Sequence, residues 1–255
     1  MSTGPFAVLA TTREVLELPG LGPHLLAPWE LRRLDAIRVP ARRDDVLAAR
    51  LLLRLCAARL TGLPPDATGL AQRCPECGRD GHGRPYLTGH PGLGVSVSHA
   101  DGLVAAAAGP GGIGVDVEPA GRRPGPLPVL RRLLPEAELR EAAEHRDPGP
   151  ALLRAWVRAE ARFKAGPPEP EAVHHLTEWT DHRRAAVAAM VATATPTGTA
   201  EPDDKPPTGT AEPAGTPAGS AMTTGTPADA AVPAGTPVLL LPPSALLGGP
   251  PPGRG

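Results

Sequence analysis

The sequence predicts a mixed α/β protein of the α+β kind, followed by a disordered C-terminal tail. Three features predict it. Apolar runs of strand length recur between Phe6 and Glu118. Longer stretches with helical periodicity lie between and after them, at 27–60 and 151–165. From residue 193 onward the chain becomes rich in Pro, Thr, Ala and Gly, a composition that buries too little apolar surface to offset its ordering entropy.

Taken in order, Phe6 to Leu16 reads as an opening strand. Ala27 to Leu60 reads as helix, with Leu47, Leu51 and Leu55 on one face and Arg42, Arg43, Arg50, Arg54 and Arg59 placed elsewhere. Leu93–Ala100 and Leu103–Ala108 read as strands joined by Asp101-Gly102, a hairpin signal. Gly109-Pro110-Gly111-Gly112 then turns into a short strand, Ile113 to Glu118. Arg122 to Pro135 reads as a loop, and Pro135–Glu144 and Ala151–Ala165 as helices. Ala185–Ala192 is a small apolar element, strand or helix. In the tail, PTGTAEP occurs at 196–202 and again at 207–213. Val238–Leu241 and Ala245–Leu247 are its apolar islands, and the flanking prolines weigh against their docking as an edge strand.

Composition narrows the class. A net charge of −1 over 255 residues gives no case for a nucleic-acid partner. With aromatics at 2%, the core must be aliphatic. No apolar run is long enough to span a membrane, and the N-terminus has no basic segment followed by a long apolar stretch. Three cysteines make no disulfide framework. The expectation is a cytoplasmic protein.

The chemistry lies in two segments. In Ile113-Gly114-Val115-Asp116-Val117-Glu118, strand alternation sends Asp116 and Glu118 to one face and Ile113, Val115 and Val117 to the other. Two adjacent carboxylates repel each other unless a cation lies between them, and Mg2+ suits oxygen donors. The same Asp-x-Glu also fits a solvated strand end. In the helix, Trp156, Glu160 and Lys164 fall at i, i+4 and i+8, with Leu152, Leu153 and Phe163 available to the core. Glu160 offers a third carboxylate and Lys164 a cation one turn on. Alone, that pair is also an ordinary surface i,i+4 contact.

Together with Gly83-Arg84-Pro85 and Val95-Ser96-Val97-Ser98-His99, these blocks resemble the Sfp-type 4′-phosphopantetheinyl transferases in order and spacing, over about residues 10 to 166. That resemblance implies two similar α/β subdomains related by a pseudo-twofold axis, with the site in the cleft between them. Residues 1–112 would form the coenzyme A-contacting half, 113–192 the half with the metal site and catalytic helix, and 193–255 the tail. It implies Mg2+-dependent transfer of the phosphopantetheine arm of coenzyme A to a serine of an acyl or peptidyl carrier protein, of fatty acid, polyketide or nonribosomal peptide biosynthesis. The other product is 3′,5′-ADP. By the same resemblance Asp116, Glu118 and Glu160 hold the metal. Glu160 takes the serine proton and Lys164 steadies the leaving phosphate. Arg84, Pro85, Ser98, His99 and Lys164 contact coenzyme A. Arg42 and Arg43 lie near the family's basic position for the 3′-phosphate. Arg122, Arg123, Arg131 and Arg132 lie where carrier proteins, typically acidic, dock. One chain supplies every site residue, so a monomer is expected.

The chain departs from the family pattern at Ala159, where the family has lysine, at Val157, where it has Ser or Thr, and at Ala100, where it has the last serine of an S-H-S segment. Pro167, Pro168 and Pro170 interrupt the segment after the helix. Ala159 motivates an alternative: a coenzyme A-binding protein of the same fold without turnover, unless Arg158 or Arg162 substitutes. Cys74-Pro-Glu-Cys77-Gly with His82 suggests half a zinc site. A structural zinc needs four ligands, which His90 would have to complete. The plainer reading is a loop before Gly83.

Overall fold

The computed structural model describes residues 4–74, 76–167, 173–194 and 239–247. The chain opens with strand β1 (Phe6–Thr11) and turns at once into a short helix α1 (Thr12–Leu16). The sequence pattern predicts a single strand through both. Thr11 ends it because its hydroxyl accepts from Glu14 N–H while Glu14 Oε2 accepts from Thr11 N–H at 2.7 Å, a reciprocal cap. The expected long helix is two, α2 (Pro28–Asp35) and α3 (Pro40–Thr61). Pro40 disfavours helix at the residue before it and opens α3 at its first turn. A short hairpin follows, β2 (Leu70–Arg73) and β3 (Asp80–Leu87), where the sequence suggested only a loop.

Strands β4 (Leu93–Ala100) and β5 (Leu103–Pro110) form the expected hairpin, with Asp101 and Gly102 at φ +44° and +85°. These are the two left-handed positions of a type I′ turn. Next come β6 (Ile113–Pro119), α4 (Leu127–Leu133), α5 (Glu136–Glu144) and α6 (Pro148–Ala165). Helix α4 replaces part of the expected Arg122–Pro135 loop. Strands β7 (Val173–Asp181) and β8 (Ala186–Ala194) follow, the second resolving the strand-or-helix ambiguity. Near the C-terminus, β9 (Leu239–Leu241) pairs in parallel with β1, and Leu246 is buried. This segment is therefore an ordered edge, against the expectation for the tail. The repeats at 196–202 and 207–213 lie outside the described residues.

The layers follow from the alternation of side chains. Besides the two-stranded β2–β3 hairpin there are two sheets, one with the order β4-β5-β1-β9 and one with the order β6-β8-β7. Val8, Ala10, Val104 and Ala106 pack on Leu51, Leu52 and Leu55 of α3. Ala7, Leu9, Ala105 and Ala107 meet Val115, Val117, Ala188 and Met190, so the sheets stack face to face. The outer face of the second sheet packs Val187, Ala189 and Val191 on Leu153, Val157 and Ala161 of α6. The order is helix, sheet, sheet, helix. Alanine dominates the inter-sheet layer, as the scarcity of aromatics requires.

Arg50 and Arg54, which periodicity places off the leucine face of the helix, are buried, because Glu30 of α2 is buried against them. Arg54 also donates to the Leu25 carbonyl at 2.7 Å, and Arg50 to Gln72 at 2.6 Å. Burial lowers the Arg50 pKa to about 10, with Glu30 opposing and Arg33 and Arg54 adding to the effect. Phe163, assigned to the core, is 75% exposed.

Candidate functional site

Strand β6 passes beneath α6 with Gly114, Asp116 and Glu118 on the helix-facing side, and Ile113, Val115 and Val117 on the inter-sheet side. Helix α6 can lie this close because a Cβ on Gly114 would overlap Ala161 O and Ala165 N. The edge of the first sheet comes alongside: Ser96 Oγ of β4 accepts from Val115 N–H at 3.0 Å. That contact brings Ser98 to Asp116.

Asp116 is 4% exposed. Its Oδ1 accepts from Ser98 Oγ at 2.7 Å and from Lys164 Nζ at 2.6 Å, and Lys164 also donates to Ser98 at 3.0 Å. Three sequence-predicted site residues from three elements thus form one closed set. Oδ2 of Asp116 is buried with no hydrogen-bond partner among the described residues, an expensive state for a carboxylate oxygen. Glu118 is buried too and pairs with Arg122 at 2.6 Å. Burial raises its pKa, Arg122 opposes, and the charges of Asp116 and Asp101 raise it further. Glu160 is half-buried. Its pKa is raised first by burial, then by the Asp116 charge, with Lys164 opposing.

The three carboxylates share this face, but their oxygens do not converge as a finished metal cage would require. Among the described residues, the single set of three His, Cys, Asp or Glu donors all within 4.8 Å of one another is Cys74, Cys77 and His82. The reason is local: Lys164 holds one oxygen of Asp116, and Arg122 holds one of Glu118. The donor chemistry nevertheless suits a hard cation, with a partnerless buried oxygen and two carboxyl groups whose ionisation burial resists.

A cavity of about 950 Å3 is lined by Thr12, Arg42, Asp45, His99 and Arg122 among others; none of Ser98, Asp116, Glu118, Glu160 and Lys164 lines it, and Arg122, paired with Glu118, links it to the carboxylates. His99 follows Ser98 on β4 and points to the other side. Desolvation lowers its pKa, Asp45 opposes, and Lys164, Arg42 and Arg50 lower it further. Asp45, which sequence reasoning missed, accepts from Thr12 Oγ1 at 2.5 Å and Gly102 N–H at 3.3 Å, fixing the turn beside His99. A buried aspartate on a helix of mixed polarity carries no sequence signal. Arg43 is instead on the surface with Asp35.

Arg84 of β3 donates to the Phe163 carbonyl at 2.9 Å, next to Lys164. Pro85 stands opposite Gln72 in the hairpin. Ala159 packs on the Leu130, Leu134 and Leu139 cluster of α4 and α5. Arg158 is paired with Glu138 at 2.9 Å and Glu178 at 3.0 Å, and Arg162 with Glu138 at 3.2 Å. Arg123, Arg131 and Arg132 are exposed beyond Glu118.

No protein-family model matches this sequence, and no curated protein shows significant similarity to it. Among the described residues, no helix is long and apolar enough to cross a membrane.

Proposed function

We propose that this protein transfers the 4′-phosphopantetheine arm of coenzyme A to a serine of an apo acyl or peptidyl carrier protein. The observation that carries the reading is the buried Ser98–Asp116–Lys164 set, with Glu118 and Glu160 on the same face. Two helix-on-sheet halves stacked through their sheets also suit the pseudo-twofold pair of subdomains that the motif resemblance implies.

In this reaction the carrier serine oxygen attacks the β-phosphorus of coenzyme A. The bond from that phosphorus to the bridging oxygen breaks, and 3′,5′-ADP leaves. Asp116, Glu118 and Glu160 would hold Mg2+. When bound, the ion supplies positive charge against the pyrophosphate. Glu160 would take the serine proton. Lys164, released from Asp116, presents its ammonium to the departing phosphate. Ser98, His99, Arg42 and Arg84 are the donors available to phosphate oxygens. The exposed Arg123, Arg131 and Arg132 offer an acidic carrier a complementary rim.

The test is release of 3′,5′-ADP from coenzyme A with Mg2+ and an apo carrier present together. Asp116→Asn and Glu160→Gln are each expected to lower the rate by on the order of a hundred-fold or more. Full activity in both variants would remove the proposed roles. Coenzyme A binding with no product from any carrier would favour the turnover-deficient alternative.

A further inference from the structure

The hairpin β2–β3 has a built turn. Cys74 N–H donates to Arg79 O at 3.0 Å and Gly78 N–H to Cys74 O at 2.9 Å, which ties Cys74 to both Gly78 and Arg79. Gly78 takes φ +67°, the left-handed position that closes such a turn. On the returning strand, His82 Nε2 comes to 3.0 Å from Cys77 Sγ. The sulfurs of Cys74 and Cys77 and a ring nitrogen of His82 lie within 4.8 Å of one another, with Cys74 buried, His82 half-buried and Cys77 exposed. Tetrahedral zinc with bonds of about 2.3 Å to sulfur and 2.0 Å to nitrogen sets those atoms about 3.6 Å apart, within a small adjustment of this arrangement.

The hairpin also has work for a staple. Two strands with little core of their own are marginal in water. Here the buried apolar residues are Leu70, Cys74 and Leu87. Yet the hairpin reaches three helices: Arg33 of α2 donates to Gly81 O, Arg50 of α3 to Gln72, and Arg84 itself to Phe163 O of α6. Gly83 is tight against Arg73 O and Cys74 Cα, so the turn and the Arg84 backbone shift together.

We propose that Cys74, Cys77 and His82 bind one zinc ion, with a solvent molecule rather than His90 as the fourth ligand, and that this ion fixes the hairpin that carries Arg84 to α6. The site is separate from the carboxylates, and its test does not involve phosphopantetheine transfer. Full-length protein without an affinity tag, purified in reductant without chelator, is expected to retain close to one zinc per chain by elemental analysis. Cys77→Ser and His82→Ala should each reduce that sharply, while Glu160→Gln leaves it unchanged. Cobalt added to the metal-free protein should give a thiolate-to-cobalt absorption band. Hydrogen exchange across 70–87 should quicken on zinc removal, with β5 and β8 unaffected. Reduced protein that holds no zinc and gives no cobalt–thiolate band would overturn the proposal. So would a Cys74–Cys77 disulfide that forms as readily with zinc present as without it.

Discussion

Gly114 shows how much of this site depends on an atom that is missing. Its bare α-carbon lets α6 settle onto β6, and that contact sets the height of Glu160 and Lys164 above Asp116. Gly114→Ala is expected to destabilise the protein by roughly 3 kcal/mol in chemical denaturation, as overpacking of a filled interface does. A variant as stable as the parent would show that α6 is not held there. At this scale the sequence was informative wherever one element's periodicity decided the outcome. Alternation put Asp116 and Glu118 on one face, and the i,i+4 step brought Lys164 to that face. It failed where a partner from elsewhere decided. Periodicity puts Arg50 and Arg54 off the leucine face, but only the buried Glu30 accounts for their burial, and Phe163, which the pattern makes available to the core, is turned outward by α6.

Among the elements, the β4–β5 hairpin was legible because Asp-Gly supplies both left-handed residues its turn needs. The other misses have physical causes. Helix α1 is a single turn held by a cap, too short for any periodicity. Strand β7 (VHHLTEWTD) is largely polar because it is the outer strand of its sheet, so alternation is faint. Strand β9 is three leucines among prolines, and only β1's open edge makes it a strand. The docking of β9 gives a prediction. Leu246, 7% exposed against the first core, should cost about 2 kcal/mol when cut to alanine. Deleting residues 239–255 should lower the melting temperature further and uncover β1, promoting self-association measurable by light scattering. Unchanged melting in both would mean this segment contributes nothing to the fold.

For the molecule as a whole, the two sheets share an alanine-rich layer and are also tied by charge. Arg184, in the β7–β8 turn, donates from Nε and Nη2 to the two oxygens of Glu14 on α1, each at 2.7 Å, and from Nη1 to Asp181. Chiefly through this guanidinium, the Glu14 pKa falls from 4.5 to about 2. A carboxylate held below its unfolded value adds stability that is complete above pH 4.5 and is lost as the pH falls toward 2. The pair is partly exposed, so solvent screening keeps its contribution near about 1 kcal/mol. Glu14→Gln should be less stable than the parent at pH 7 by that amount, and the gap should close between pH 4.5 and pH 2. A gap constant over that range would exclude the ion pair as its source.

The most direct measurement of the central claim is the intact mass of an apo carrier protein after incubation with this protein, coenzyme A and Mg2+, beside an EDTA control. The account predicts a gain of one phosphopantetheine arm on the carrier serine, abolished by EDTA and by Asp116→Asn. Carriers of both the acyl and peptidyl kinds left unmodified by folded protein that still binds coenzyme A would contradict it.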